Sequence, residues 1–389
     1  MENSQTEVII AMVGNVDAAK STVTGVLTDS LNRLDDGKGS ARSRILHHPH
    51  EKESGRTSSI GHAFIHEEKR YINFIDLAGH EKYLKTTIKG VTTYYPDFAI
   101  LCVEKNLTHM TREHLKLLLT MRIPFMFLVT KIDLIPEPHL KKNIRKLHNY
   151  VKQAQKSVVE ITNVKDIGTT LQHGEGIVPL LKISNVTGEN LDLLKQFVRQ
   201  VPKRVHHFFP GFVIDKVFKV KGYGTIVSGV TGIDLHKNQE LYMGPLINDG
   251  FVKTKIRSIH DDYRHFVDVL PAGVRGCLWI KWDNDDKIKI RPGTIMSLTP
   301  LTTTKRFKAN VIIFHHSTQI MAGYEAYANM GAIKESIRFT KINGDVLRSG
   351  DKTEVEVEFM KHYNYIEPNM QFFFREGATR GIGKVTELL

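Results

Sequence analysis

Cysteine is nearly absent from this 389-residue chain, which holds only Cys102 and Cys277. Two thiols cannot build a disulfide framework or a four-cysteine zinc site, so a reducing, cytoplasmic setting is expected. Long apolar runs are missing as well. No stretch reaches the roughly eighteen uninterrupted apolar residues of a membrane-crossing helix, which excludes a transmembrane helix, and the motifs read below leave no membrane partner expected. The opening MENSQTEVII lacks the basic region and apolar core of a secretory signal. There is no internal repeat and no low-complexity tract. Acidic residues are short in supply: 42 Asp and Glu face 54 Lys and Arg, a net charge of +12. Such a balance suits polyanionic partners and argues against a strongly cationic substrate. The excess is spread along the chain. Residues 1–204 carry 29 basic and 22 acidic side chains, leaving 25 and 20 for the remainder.

What is present falls into two styles. Up to about residue 200, apolar strands alternate with helical periodicity. Val8–Val13, Ile72–Asp76, Phe98–Val103, Phe125–Val129 and Leu181–Val186 read as strands of a parallel sheet buried on both faces. Leu140, Ile144, Leu147, Val151 and Val158 share one helical face, and another helix starts at Glu189 with Leu191, Leu194 and Val198. This alternation predicts a three-layer α/β domain over 1–203. After Val201–Pro202 the helical periods stop. Short β-rich runs take over, such as Gly224–Gly229, Glu354–Phe359 and Gln371–Arg375, and a break near Thr302–Lys305 splits them. Two antiparallel β-barrels are predicted, over 204–302 and 303–389.

Chemistry concentrates in the first domain. Strand Val8–Val13 runs into Gly14-Asn15-Val16-Asp17-Ala18-Ala19-Lys20-Ser21 and on through Thr22 into a helix. This is the phosphate-loop pattern with alanine for its second glycine. Successive backbone N–H groups and the helix N-terminus would face the phosphates. Lys20 would neutralise the β- and γ-phosphates, and the Ser21 hydroxyl would hold Mg²⁺. Asp76-Leu77-Ala78-Gly79 follows another strand, where Asp76 can hold magnesium and the Gly79 amide can meet a γ-phosphate. Thr130-Lys131-Ile132-Asp133 follows a third strand, and the Asp133 carboxylate can accept both N–H bonds that guanine offers and adenine does not. Ser184, Asn185 and Val186 can close over the base. Each element sits at the C-terminal end of a predicted parallel strand, where open α/β sheets bind ligands. A GTP-binding domain follows.

With these motifs the sequence resembles the translational GTPases, the family of elongation factors Tu and 1-alpha. His80 directly follows Gly79, as in that family, and the resemblance implies that His80 orients the attacking water. Glu53–Gly61, preceded by His47-His48-Pro49-His50-Glu51, is similar to the first switch loop of the GTP-binding protein 1 and 2 branch. There Thr57 takes the place of the threonine that closes onto Mg²⁺. Thr130 in place of the usual asparagine suits the same branch, as do Phe314–Ser317 and Ile366–Val385 in the last barrel, while Phe218–Gly229 is similar to the second-domain entry hairpin of translational GTPases at large. Asp17 matches an aspartate that the family assigns to a monovalent cation. The resemblance implies a monomeric GTPase converting GTP to GDP with Mg²⁺, acting with the ribosome and aminoacyl-tRNA. It leaves open a nucleotide exchange factor, and roles in ribosome rescue or messenger turnover.

Four further points bear on the sequence. Ala19 stands where backbone approaches phosphate, so a nucleotide-gated binding protein with little hydrolysis is the alternative to an enzyme. A GTPase subunit of ATP sulfurylase is disfavoured by the switch-loop and third-domain matches. His47, His48 and His50 read as a solvated loop, because no second cluster of matching spacing accompanies them. Finally, no acid lies between Glu137 and Glu160, whereas Lys141, Lys142, Arg145, Lys146, Lys152 and Lys156 crowd that segment. Both a solvated helix face and a contact for RNA phosphate fit this pattern.

Overall fold

Residues 6–45, 61–67, 70–80, 87, 90–91, 94, 96–105, 107–173, 176–204, 209–246, 249–261, 265–282, 289–315, 319–377 and 379–389 are described by the computed structural model. The expectations for His47, His48, His50, Glu53–Ile60 with Thr57, Glu81, His316 and Ser317 lie outside these residues. The chain divides into two units, 1–205 and 206–389.

The first unit is built on one seven-stranded sheet. Its strands are β1 (Thr6–Gly14), β2 (Gly61–Glu67), β3 (Arg70–Asp76), β4 (Phe98–Val103), β5 (Phe125–Val129), β6 (Ser157–Glu160) and β7 (Ile177–Lys182), in the order β2-β3-β1-β4-β5-β7-β6. Only the β2–β3 pair is antiparallel. Every residue of β4 and β5 is buried, which is why these strands are continuous apolar runs and not alternating ones. The described helices are α1 (Lys20–Leu27), α2 (Ser40–Ser43), α3 (His109–Thr120), α4 (Glu137–Lys152), α5 (Val164–Gln172) and α6 (Leu191–Gln200). Helices α3 to α6 alternate with β4 to β7. The Thr108 hydroxyl caps α3 by accepting from the Thr111 amide at 3.2 Å, and Asn163 with Asp166 forms a reciprocal cap on α5. Phe98 meets Phe197 of α6 edge-on, with ring centroids 5.4 Å apart, in the core beneath the sheet's β1–β4 side.

Two boundaries differ from the sequence reading. Helical spacing carries through Val158, but α4 stops at Lys152: Gln155 takes φ +57° and the Lys156 amide returns to the Val151 carbonyl at 3.1 Å. Val158 then lies on the short strand β6. The strand expected at Leu181–Val186 is β7, earlier by several residues. The Ser184 hydroxyl accepts from the amides of Val186 (3.3 Å) and Thr187 (3.1 Å), turning the chain out of the ladder.

The second unit is all-β. Its strands begin with β8 (Gly211–Val220), β9 (Gly224–Thr231), β10 (Leu235–His236), β11 (Glu240–Gly244), β12 (Val252–Asp261), β13 (Phe266–Val267), β14 (Val269–Leu270), β15 (Arg275–Lys281) and β16 (Ile295–Ser297). Six of them close antiparallel in the order β11-β16-β8-β9-β15-β12, with β12 returning to β11. The next six form the second closed barrel: β17 (Arg306–His315), β18 (Glu325–Met330), β19 (Ile333–Ile342), β20 (Lys352–Phe359), β21 (Gln371–Glu376) and β22 (Thr379–Leu388), in the order β17-β20-β19-β18-β21-β22. The expected architecture, a mostly parallel α/β domain followed by two antiparallel barrels, is the one observed. Phe307, Phe339, Phe359, Phe372 and Phe374 fill the second barrel, whose inward positions alternate with half-buried ones as on β20.

Candidate nucleotide-binding site

Strand register brings the separate motifs to one edge of the sheet. Met12 pairs with Asp76, Gly14 with Cys102, and Val129 with both Val103 and Lys182. The C-terminal ends of β1, β3, β5 and β7 therefore share one edge, and the loops leaving them meet there. A cleft of about 280 Å³ opens among them, lined by Val16, Asp17, Ala19, Lys20, Ser21, Thr22, Gly79, His80, Lys131, Asp133, Asn185 and Val186, together with a segment from Asp35 to Arg42.

The phosphate loop is tightly held. The Lys20 ammonium donates to the Asn15 carbonyl at 2.7 Å and is only 7% exposed. Burial lowers its pKa below the usual lysine value, while the negative charge of Asp76 and then of Asp17 opposes that fall. Gly79 passes directly across this lysine. A Cβ at Gly79 would lie 2.5 Å from Lys20 Nζ and 2.6 Å from both the Asn15 carbonyl carbon and the Gly14 carbonyl oxygen. Any side chain at 79 would push the lysine and loop aside. Ala19, the residue in place of glycine, caps α1 in the left-handed region at φ +60°, ψ +21°, and Asp17 is also left-handed at φ +64°. Cys102 lies buried behind the loop, and burial pushes its pKa up to about 12, so at neutral pH it is an inert thiol.

Ser21 Oγ donates to Asp76 Oδ2 at 2.5 Å, and Asp76 is 2% exposed. A hydroxyl and a carboxylate this close form a hard oxygen donor set. It fits Mg²⁺, which takes one or two protein oxygens and completes its shell with phosphates and water. Among the described residues, no three His, Cys, Asp or Glu side chains gather as a self-sufficient metal site. His80, beside Gly79, is exposed at the cleft wall.

At the other end of the cleft, Lys131 takes φ +57°, pairs through Nζ with Glu104 Oε2 at 2.8 Å, and leads into a single 3₁₀ turn carrying an exposed Asp133. The Ile132 amide bonds the Ile183 carbonyl at 3.3 Å, tying the Asp133 loop to the Ser184–Val186 loop. Asn185 is 5% exposed, and its side-chain oxygen has no hydrogen-bond partner among the described residues. A buried acceptor left unpaired at a cleft wall fits a ligand that brings a donor. Thr130 is placed differently from the sequence expectation. It is fully buried and off the cleft wall, with its hydroxyl donating to the Ala18 carbonyl at 3.3 Å. Gly14, Asn15, Ala18 and Ser184 likewise support the wall from behind, while Thr57 lies outside the described residues.

Sequence reasoning missed the segment from Asp35 to Arg42. The Asp35 carboxylate accepts from the Gly37 amide at 3.1 Å and the Ala41 amide at 2.9 Å, and Asp36 accepts from Lys38 at 2.8 Å. The Asp35 amide in turn donates to the Asn185 carbonyl at 3.0 Å. Gly25 of α1 lets α2 sit close, since a Cβ there would fall 2.1 Å from the Ala41 carbonyl. Lys38 and Arg42 are thereby held at the cleft. The Asp-Asp-Gly-Lys-Gly-Ser run signals a structured turn, but nothing in its spacing reveals which surface it meets.

A family model described as the elongation factor Tu GTP binding domain matches residues 5–203. The chain is 37% identical over 429 residues to GTP-binding protein 1 of Xenopus laevis, covering 100% of this chain and 64% of that protein. It is 33% identical over 419 residues to GTP-binding protein 2 of Homo sapiens, covering 97% and 69%. Among solved structures, the GTPase-like domain of S. cerevisiae Ski7 bound to GTP matches with a TM-score of 0.72 at 15% identity, covering 99% of this chain and 98% of that one. Translation elongation factor SelB of Methanococcus maripaludis in its apo form matches at 0.66 and 20%, covering 99% and 80%.

Proposed function

This chain belongs to the translational GTPases, and on that premise we propose that it binds GTP in the cleft at the C-terminal strand ends and hydrolyses it to GDP in a ribosome- and tRNA-linked step. One observation carries the reading: Lys20, the Ser21–Asp76 pair, Gly79, His80 and Asp133 converge on a single cleft from three separate loops. Each then has a task. Lys20 neutralises β- and γ-phosphate charge, and the loop amides position the phosphates. Ser21 and Asp76, with Thr57 as the third expected ligand, would hold Mg²⁺, which would supply further charge neutralisation at the transferring phosphoryl group. Asp133 selects guanine, with Ser184, Asn185 and Val186 closing the base side. His80 orients the attacking water. Phosphoryl transfer asks mainly for positioning and charge, and this set provides both. The γ-phosphate would engage Thr57 and the Gly79–His80 segment, and hydrolysis would end that contact, a switch that reports the nucleotide state to the barrels.

The reading extends to aminoacyl-tRNA and the ribosome as partners, with a nucleotide exchange factor as an open addition. Selenocysteine-specific and SelB elongation factors share this fold. Ala19 favours a second reading, a nucleotide-gated RNA- or ribosome-binding protein with little hydrolysis. Steady-state GTP hydrolysis with and without ribosomes and aminoacyl-tRNA separates them. The enzyme reading expects ribosome stimulation that His80→Ala removes, with nucleotide affinity retained. GTP binding without turnover under every condition selects the gated reading.

A further inference from the structure

Helix α4 carries a surface that the nucleotide cleft leaves unused. It buries Asn143, Leu147 and Val151, with Leu140, Ile144 and Tyr150 half-buried beside them. At 100° per residue, the opposite side of the helix is made of Lys141, Lys142, Arg145, Asn149 and Lys152, with Lys146 on the flank shared with Tyr150. All six are exposed. Lys141 pairs with Glu137 at 2.8 Å. Lys142, Arg145, Lys146 and Lys152 pair with no carboxylate among the described residues. That separates them from other cations of the same unit, where Lys116, Lys131, Lys182, Arg199 and Lys203 each hold an acidic partner.

Neighbouring elements enlarge the patch. The exposed Arg112 of α3 stands over the Tyr150 ring, 5.3 Å from its centroid. Asn143 donates from its side chain to the Lys105 carbonyl, fixing the exposed Lys105 beside α4. Arg112 and Lys105 thus add two exposed cations from neighbouring elements, with Glu137 the acidic partner of Lys141 on α4 itself.

From this surface we infer a docking site for the phosphate backbone of double-helical RNA. Charge complementarity and the absence of other chemistry choose the partner. The outward side of α4 presents no large apolar residue to wedge into a membrane interface. It presents no aromatic face on which unpaired bases could stack. Rows of Lys and Arg alone suit sequence-independent contact with phosphates of an A-form helix, which proteins recognise by shape and backbone. The inference deepens the RNA-linked reading above and rests on it.

The test uses the full chain and a labelled RNA hairpin with a stem of about 16 base pairs, titrated by fluorescence anisotropy from about 50 to 200 mM salt. Combined Lys142→Glu, Arg145→Glu and Lys146→Glu substitution is expected to weaken binding at least tenfold and to flatten the salt dependence by roughly two to three phosphate contacts. GTP affinity in the same variant should stay unchanged, and a Gln triple covers any misfolding of the Glu triple, with a smaller loss in the same direction. Unaltered RNA affinity and salt slope overturn the inference. So does a loss confined to an acidic polyglutamate peptide, which would mark the face as a protein-docking site. Ribosome-stimulated hydrolysis by the wild-type chain judges the translational reading separately.

Discussion

His114 offers a quantitative check on the interior behind the nucleotide site. It lies on α3, fully buried, with neither ring nitrogen hydrogen-bonded among the described residues. Burial pushes its pKa down from 6.5 to about 3, and the positive charge of Lys20 adds to the fall. In the unfolded chain the imidazole titrates at its ordinary value, so between these limits the unfolded state binds the extra proton. The stability contribution is thus intact above pH 6.5 and is lost as pH falls towards 3. By linkage, the loss at about pH 5.5 is roughly 1.4 kcal/mol relative to about pH 7.5. The perturbation is His114→Leu, which keeps an apolar side chain of similar bulk and removes the titration. Urea denaturation followed by far-ultraviolet circular dichroism reports on this unit, because all described helices lie between Lys20 and Gln200. The variant's stability relative to wild type should rise by about 1.4 kcal/mol between the two pH values. Carboxylates such as Asp29, held well below the usual range by Arg33, titrate further down and do not enter this window. A difference between variant and wild type that stays constant with pH would refute the buried, unpartnered imidazole.

Two other outcomes follow from the cleft. Ala19→Gly relieves a left-handed alanine at φ +60°, which costs an L-residue about 1–2 kcal/mol. Set against about 0.4–1 kcal/mol of added chain entropy, the folded domain should gain up to about 1.6 kcal/mol in urea denaturation, and unchanged stability would show that the loop carries alanine without strain. Arg42→Ala removes a cleft cation that has no ion-pair partner among the described residues. The loss of one charge-assisted contact predicts roughly tenfold weaker binding of a fluorescent GTP analogue, and an unchanged Kd would exclude Arg42 from the nucleotide's surroundings.

How much of this was legible in the sequence depended on whether a feature was local. Strands β1, β4 and β5 announce themselves because burial on both faces leaves uninterrupted apolar runs, and β3 nearly so, with only Asn73 breaking Ile72–Ile75. The motifs at their ends follow from chain direction alone, since parallel strands must deliver Gly14, Asp76 and Thr130 to one edge. Features that depend on tertiary neighbours were not legible. Val158 keeps helical phase with Val151, and only the left-handed Gln155 shows that the helix has already ended. Lys38 and Arg42 reach the cleft because Gly25 leaves room for Ala41 and because Asp35 bonds Asn185, contacts that no spacing rule encodes. The unpaired state of Lys142, Arg145 and Lys146 likewise needs coordinates, since the lack of acids along a helix says nothing about acids across it.

The two departures from the family pattern, Ala19 for glycine and Thr130 for asparagine, meet in space. Thr130 is fully buried, and its hydroxyl reaches the Ala18 carbonyl at 3.3 Å, on the peptide that joins Ala18 to Ala19. The Thr130 amide is itself anchored to the Val103 carbonyl at 2.9 Å, so the strut is fixed at its far end to the sheet. A carbonyl held from below limits rotation of that peptide, the same rotation by which Ala19 would leave the left-handed region. The β-branched threonine, with few rotamers to choose among, is suited to a short rigid strut. Under the proposed function, guanine selection would then rest on Asp133, with residue 130 bracing the phosphate loop.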